Sequence, residues 1–382
     1  MSEIFDTIEK NKEMMHSFLK TVVEMESPSL DKELVDEFAD WVAEAFEKLA
    51  GGRSKVIESA DYGNHVKVEW GEGERQLLVL GHLDTVWPRG TMEKMPYTVE
   101  ADVASGPGVF DMKGGIIQGL FAMKALQDLG VELDRKVVFL FDSDEEIGNP
   151  SSKKLIEEEA AKSERVFVLE PAMGETGSLK TSRKGVGIFE LEATGIPAHA
   201  GIDPEKGVSA IEELALQTVE LHGMTDLDVG TTFNVGKIEG GTTSNVIAEN
   251  AKATLDVRVK TQQEADRVLP IIQELQPKLD GAELKVMGGF NRPPLERTES
   301  IAAMYQTAKE LAADQLDMEL TEQESGGGSD GNLTAPYAPT LDGLGPVGGG
   351  AHANDEHLLL SEMTKRSALF ALLLMEYGRR EQ

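Results

Sequence analysis

His82 and Asp84 follow an unbroken apolar run, Leu77 to Leu80, that stops at Gly81. A buried strand thus ends where two polar side chains begin. Two further segments repeat the arrangement. In KVVFLFDSDEE, Lys136 to Glu146, the run Val137 to Phe141 reads as a strand buried on both faces that delivers Asp142, Asp144, Glu145 and Glu146. In RVFVLEP, Arg165 to Pro171, the run Val166 to Leu169 delivers Glu170. Ligands of open α/β sheets gather outside the carboxyl ends of the strands. Three strands therefore aim His82, Glu145, Glu146 and Glu170 at one place. Asp111 comes 29 positions after His82 (111 − 82), just before Lys113-Gly114-Gly115 and a stripe of Ile116, Leu120, Met123 and Leu126 that closes at Gly130. That pattern predicts a helix with Asp111 at its N-terminus.

Carboxylates crowded at one sheet edge raise each other's pKa, so a positive group must compensate them. The donors are imidazole and hard oxygen, and the chain has no cysteine. A borderline divalent ion fits such donors, zinc first, with cobalt or manganese behind it. There are enough carboxylates for two ions bridged by one of them.

The elements that must position this cluster can be read from periodicity. Ile4, Ile8, Met15, Phe18, Leu19 and Val22 make one helical stripe, and Leu34, Phe38, Trp41, Val42, Ala45 and Leu49 another. Val66 to Trp70 and Gln76 to Gly81 read as strands. Beyond about Thr181 the pattern changes to alternation: Phe189, Leu191 and Ala193 against Glu190 and Glu192, then Ala253, Leu255, Val257 and Val259 against Thr254, Asp256 and Arg258. Such strands are wet on one face. Helix-period stretches follow each, Val208 to Val219 and Val268 to Leu279. The expected organisation is a first part of a mostly parallel α/β domain over 1–182, an inserted α+β domain over 183–292, and the rest of the first domain over 293–382.

Composition excludes several classes. The net charge of −31 repels nucleic acid and anionic lipid. MSEIFDTIEK lacks the apolar core of a signal peptide, and Ala368 to Met375, the longest apolar run, is far too short to span a bilayer. A cytoplasmic protein with no nucleic-acid or membrane partner is expected. Ser325 to Gly331, SGGGSDG, formally contains GxGxxG, but the polar lead-in Thr321 to Glu324 is no buried strand, so a dinucleotide site fails its context. His352 lies in a glycine-rich loop, GLGPVGGGAHANDEH, followed by Asp355-Glu356. Alone, such a histidine is more often a surface residue.

Taken together, Gly81 to Val86, Gly106-Pro107-Gly108 with Asp111 to Gly115, Asp144-Glu145-Glu146 with Gly148, Glu170-Pro171 and Gly348 to His352 resemble the M20 metallopeptidases, most closely their glutamate carboxypeptidase branch. The resemblance implies a zinc-exopeptidase catalytic domain carrying an inserted lid and dimerisation domain. It implies that His82 and Glu170 hold one zinc, that Glu146 and His352 hold the other, and that Asp111 bridges them. Asp84 would orient His82, and Glu145 would be the general base. Neighbouring glutamates on an extended segment point apart, so both need the turn that follows a strand end. The inserted domain would form the homodimer and supply His199 to the oxyanion, in its own or the partner subunit's site. Arg258 and Asn245 would bind the substrate's α-carboxylate, Arg292 would read an acidic side chain, and the loop at Gly327 and Gly328 would offer backbone N–H groups. The substrate class so implied is an N-acyl amino acid or peptide that releases glutamate or aspartate. The alternatives are another M20 activity, such as an N-acyl-amino-acid deacylase or a di- or tripeptidase, or a non-catalytic metal-binding protein of the same fold.

Overall fold

Apolar runs without polar interruption belong between two layers. In the computed structural model, which describes residues 2–73 and 75–379, residues 137–141 lie in the strand Lys136–Asp142 and all are buried. Alternation divides them between two faces. Val137, Phe139 and Phe141 join one apolar cluster with residues of the helices Lys32–Ala50, Gly114–Asp128 and Leu360–Gly378. Val138 and Leu140 join another with Ile156, Ala160, Leu333 and Ala338. The strand Gln76–His82 divides likewise, Leu77 and Val79 to the first cluster and Leu78 and Leu80 to the second. Each such side chain contributes about 1.5–3 kcal/mol on burial, so the strands that end at the acidic cluster are anchored from both sides.

Contacts divide the chain into two compact units, one of Met1–Ser182, Arg297–Ser325 and Ser329–Gln382, the other of Arg183–Glu296 and Gly326–Gly328. The first holds a six-stranded sheet in the order Arg53–Ile57, His65–Trp70, Lys136–Asp142, Gln76–His82, Ser163–Val168, Thr340–Leu341. The last four strands are parallel, and the first two pair antiparallel. Register brings His82 level with Asp142 and Leu80 level with Val168. The carboxyl ends of three neighbouring strands are thus flush.

The second unit holds a four-stranded antiparallel sheet, in the order Thr232–Gly240, Asn250–Val259, Gly185–Thr194, Glu283–Arg292. Leu214 and Leu221 of the helix Ala210–Gly223, with Val268 and Ile272 of the helix Gln262–Gln273, pack on Phe189, Leu191, Leu255 and Val257.

Local chemistry moves some expected boundaries. The N-terminal stripe is two helices, Glu3–Lys10 and Lys12–Glu24, parted at Asn11, whose side-chain amide donates to the Thr7 carbonyl. The helix expected over 268–279 runs Gln262–Gln273 instead. Thr261 caps its start by accepting the Glu264 N–H, and Pro277 bars continuation through Gln276. Among the described residues no helix is long and apolar enough to cross a membrane.

The helix Gly114–Asp128 presses very closely on the strand end that carries Glu170. A Cβ on Gly115 would lie 2.0 Å from the Leu169 carbonyl oxygen. Gly115→Ala is therefore expected to destabilise the protein by about 1–3 kcal/mol, measured by denaturant unfolding. An unchanged midpoint would show that this approach is loose.

Candidate metal centre

Three strand ends, the segment before the helix Gly114–Asp128 and one glycine-rich loop supply the cluster. His82, the buried last residue of its strand, places Nε2 3.2 Å from Asp111 Oδ1 and 3.5 Å from Glu170 Oε1. His352 Nε2 lies 3.3 Å from Asp111 Oδ2 and 3.2 Å from Glu146 Oε2. Asp111 thus turns one oxygen to each imidazole, and each imidazole has a glutamate of its own. Ligand atoms of His82, Asp111 and Glu146 all fall within 4.8 Å of one another.

Asp111 is not at a helix N-terminus. It precedes the helix start at Gly114 and has φ −114° and ψ 96°, an extended conformation that lets its carboxylate reach both histidines. His352 has φ 61°, in the left-handed region that few non-glycine residues adopt. Glu145 and Glu146 open a single 3₁₀ turn, Glu145–Ile147, so the two neighbours do not diverge as they would on a strand. Asp84 holds that turn: its Oδ1 accepts the Glu145 N–H and its Oδ2 the Glu146 N–H, each at 3.2 Å. The His82 Nδ1 bonds chiefly to the Asp84 main-chain carbonyl, at 2.9 Å, with the carboxylate at 3.5 Å.

Charges in the cluster act strongly on one another. Burial would lower the His82 imidazole, but Asp111, Asp84 and Glu170 raise it well above its ordinary value. Hydrogen bonds to Asp111 and Glu146 lift His352 to about 10. Burial would raise Asp111, yet both imidazoles hold it well below the usual carboxylate range. Glu146 is raised, by burial first. Without a metal, the centre therefore holds protons where a divalent cation would put its charge. Glu146 Oε1 is buried and has no hydrogen-bond partner. A buried carboxylate oxygen left bare beside two imidazoles suits a metal ligand.

The sequence reading passed over two residues near this centre. Lys180 Nζ lies 3.9 Å from Glu170 Oε2. Glu356, which looks like a solvated loop acid in the sequence, is fully buried. The one cue was its place four residues after His352.

The second unit carries the remaining candidates. His199 is exposed, and its Nδ1 accepts the Gly201 N–H at 3.1 Å. It bridges to Val246, and the Ala200 N–H donates to the Asn245 carbonyl at 2.9 Å, so His199 and Asn245 are neighbours. Arg258 is committed on its own strand, with Nε and Nη2 each 2.8 Å from the Asp256 carboxylate. Arg183, buried, donates from Nη1 to the carbonyls of Gly327 and Gly328 at 3.2 and 3.0 Å. Gly328 backs onto the buried Arg292, where a Cβ would meet Cδ at 2.9 Å.

A mostly parallel α/β sheet whose strand ends converge on two histidines and three carboxylates, carried with an antiparallel α+β unit, is the framework of a metal-dependent hydrolase. The chain belongs to peptidase family M20/M25/M40, whose family model matches residues 78–376. It is 31% identical over 312 residues to carboxypeptidase G2 of Pseudomonas sp. (strain RS-16), covering 81% of this chain and 75% of that one. It is 29% identical over 317 residues to a succinyl-diaminopimelate desuccinylase of Dechloromonas aromatica (strain RCB), covering 77% and 81%. The fold matches the M20 family metallo-carboxypeptidase Sso-CP2 of Sulfolobus solfataricus with a TM-score of 0.74, at 20% identity over 95% of this chain and 99% of that one.

Proposed function

We propose that this protein is a dinuclear zinc hydrolase that cleaves the amide bond of an N-acyl or peptidyl amino acid and releases the C-terminal amino acid, with glutamate or aspartate the preferred product. The observation that carries the reading is Asp111, whose two carboxylate oxygens face two different imidazoles, each with its own glutamate. His82 and Glu170 would hold one ion, Glu146 and His352 the other, with Asp111 between them. Cobalt or manganese are possible substitutes. When bound, such ions make water a stronger acid and polarise a scissile carbonyl.

The chain's own residues do the rest. Glu145, part-buried and fixed by its N–H to Asp84, accepts a proton from the attacking water and returns it to the departing amine. His199, with Nδ1 accepting from Gly201, carries its ring proton on Nε2 when neutral and can donate to the oxyanion of the tetrahedral intermediate. Asn245 stands beside it to take the α-carboxylate. Arg258 would serve that carboxylate with the guanidinium edge that Asp256 leaves open, and Arg292 with Gly327 and Gly328 would form the side-chain pocket. Ile211, Leu216 and Val219, exposed on the helix Ala210–Gly223, support a homodimer formed through this unit.

The desuccinylase relative favours one other reading, a deacylase that uses the same centre on a different acyl group. Amino-acid release by the zinc-loaded protein from a panel of N-acyl amino acids and dipeptides separates them. Preferential release of glutamate or aspartate is expected. Release of only neutral or basic residues would remove Arg292 from its role, and no release from any substrate would overturn the hydrolase reading.

A further inference from the structure

A buried carboxylate needs donors, and Glu356 has four. Its Oε2 accepts the Trp87 Nε1–H at 2.6 Å and the Gly108 N–H at 2.9 Å, and its Oε1 accepts the N–H groups of Phe110 and Asp111, each at 3.0 Å. The segment that presents Asp111 is therefore wrapped around an anion supplied by another part of the chain. The main chain of Glu356 reinforces the lock: its carbonyl accepts the Gly106 N–H, and its own N–H donates to the Ala353 carbonyl, closing the loop in which His352 sits at φ 61°. Room for this closure is tight, since a Cβ on Gly350 would lie 2.7 Å from the Asp355 carbonyl carbon. Lys113, also buried, lies close enough for Glu356 to favour its charged form, although burial pulls its ammonium down to about 7.

We infer that Glu356 is a positioning residue for the metal centre: its carboxylate templates the 106–111 segment, its backbone ties the His352 loop to that segment, and it thereby fixes Asp111 and His352 at the separation a shared ion pair needs. This rests on the reading of the cluster as a metal centre. No other residue type meets the geometry. An amide at this position offers one oxygen to four N–H donors and points its own N–H₂ at the remainder, while an apolar side chain leaves all four buried and unpaired. Groups that orient metal ligands from behind typically change metal affinity by about 10–100-fold when removed.

The test measures zinc binding by full-length wild type, Glu356→Gln, Glu356→Asp and a core control, Phe370→Leu, against a competing chromophoric chelator, alongside thermal unfolding of each metal-free protein. Wild type is expected to take two ions. Glu356→Gln should bind at least one of them about 10–100-fold more weakly, Glu356→Asp should fall between, and Phe370→Leu should keep both affinities despite lower stability. The Trp87 indole N–H resonance should shift in the Glu356 variants and not in the control. Should the Gln variant fail to fold, the Asp variant carries the same prediction, because one methylene fewer withdraws the carboxylate from its donors while keeping its charge. Unchanged affinity in a folded Glu356 variant would overturn the inference, as would an equal loss in the control. A wild-type chain that takes up no divalent ion would overturn the metal reading itself.

Discussion

Glu145→Gln is expected to abolish most turnover while leaving the metal content intact. The side chain keeps its shape, and the bond that places it runs from its backbone N–H to Asp84 Oδ1, so the turn Glu145–Ile147 should survive the substitution. What disappears is the ability to take a proton, because an amide oxygen is not a useful base near neutral pH. Loss of a positioned general base costs about 10²–10⁴-fold, or roughly 3–5 kcal/mol of transition-state stabilisation at 1.36 kcal/mol per decade. The fall should appear in kcat with KM little changed, since a general base at Glu145 would act on the water and not on the bound substrate. Single-turnover kinetics together with metal analysis check this. Full activity would move the base elsewhere, and loss of an ion would make Glu145 a ligand.

The parallel strands were legible because burial on both faces leaves no room for polar residues until the strand ends. In each of the three runs the first polar side chain marks the sheet's carboxyl edge, and His82, the Asp142 to Glu146 stretch and Glu170 follow directly. The gaps in the reading have physical causes. The strand Thr232–Gly240 is an exposed sheet edge with little apolar alternation to detect. The strand Glu283–Arg292 contains Gly288 at φ 103° and a register shift before Arg292, which break the period-2 signal. Glu356 and the second role of Asp84 depend on partners far away in sequence. The Glu356 carboxylate meets N–H groups 245 to 269 positions distant, and Asp84 meets those of Glu145 and Glu146 at 61 and 62. Local pattern treats Glu356 as an ordinary loop acid and shows only the place of Asp84 beside His82, and only chain closure reveals the N–H groups that each accepts.

Asp111→Asn should be more damaging to metal binding than His352→Ala, although each removes one side-chain function. Asp111 faces both imidazoles, His82 with one oxygen and His352 with the other. Asparagine keeps a single oxygen and turns an N–H₂ toward the other histidine, so one position loses its ligand outright and the other loses negative charge. His352→Ala touches only the pair formed with Glu146 and Asp111. Zinc titration is therefore expected to give two ions for wild type, one for His352→Ala, and at most one weakly held ion for Asp111→Asn. The pH dependence should separate the two as well. Zinc needs neutral imidazole, and in the metal-free protein His352 is lifted to about 10 by Asp111 and Glu146. Protons therefore compete for it below that value, and wild-type affinity should climb by up to tenfold per pH unit for each proton displaced as the pH rises from neutrality. In Asp111→Asn one of the two anions that raise His352 is gone. Its pKa falls back toward the ordinary imidazole value of about 6.5, and whatever affinity remains should level off at lower pH. Equal stoichiometry and parallel pH profiles in the two variants would show that Asp111 is not shared between two ions.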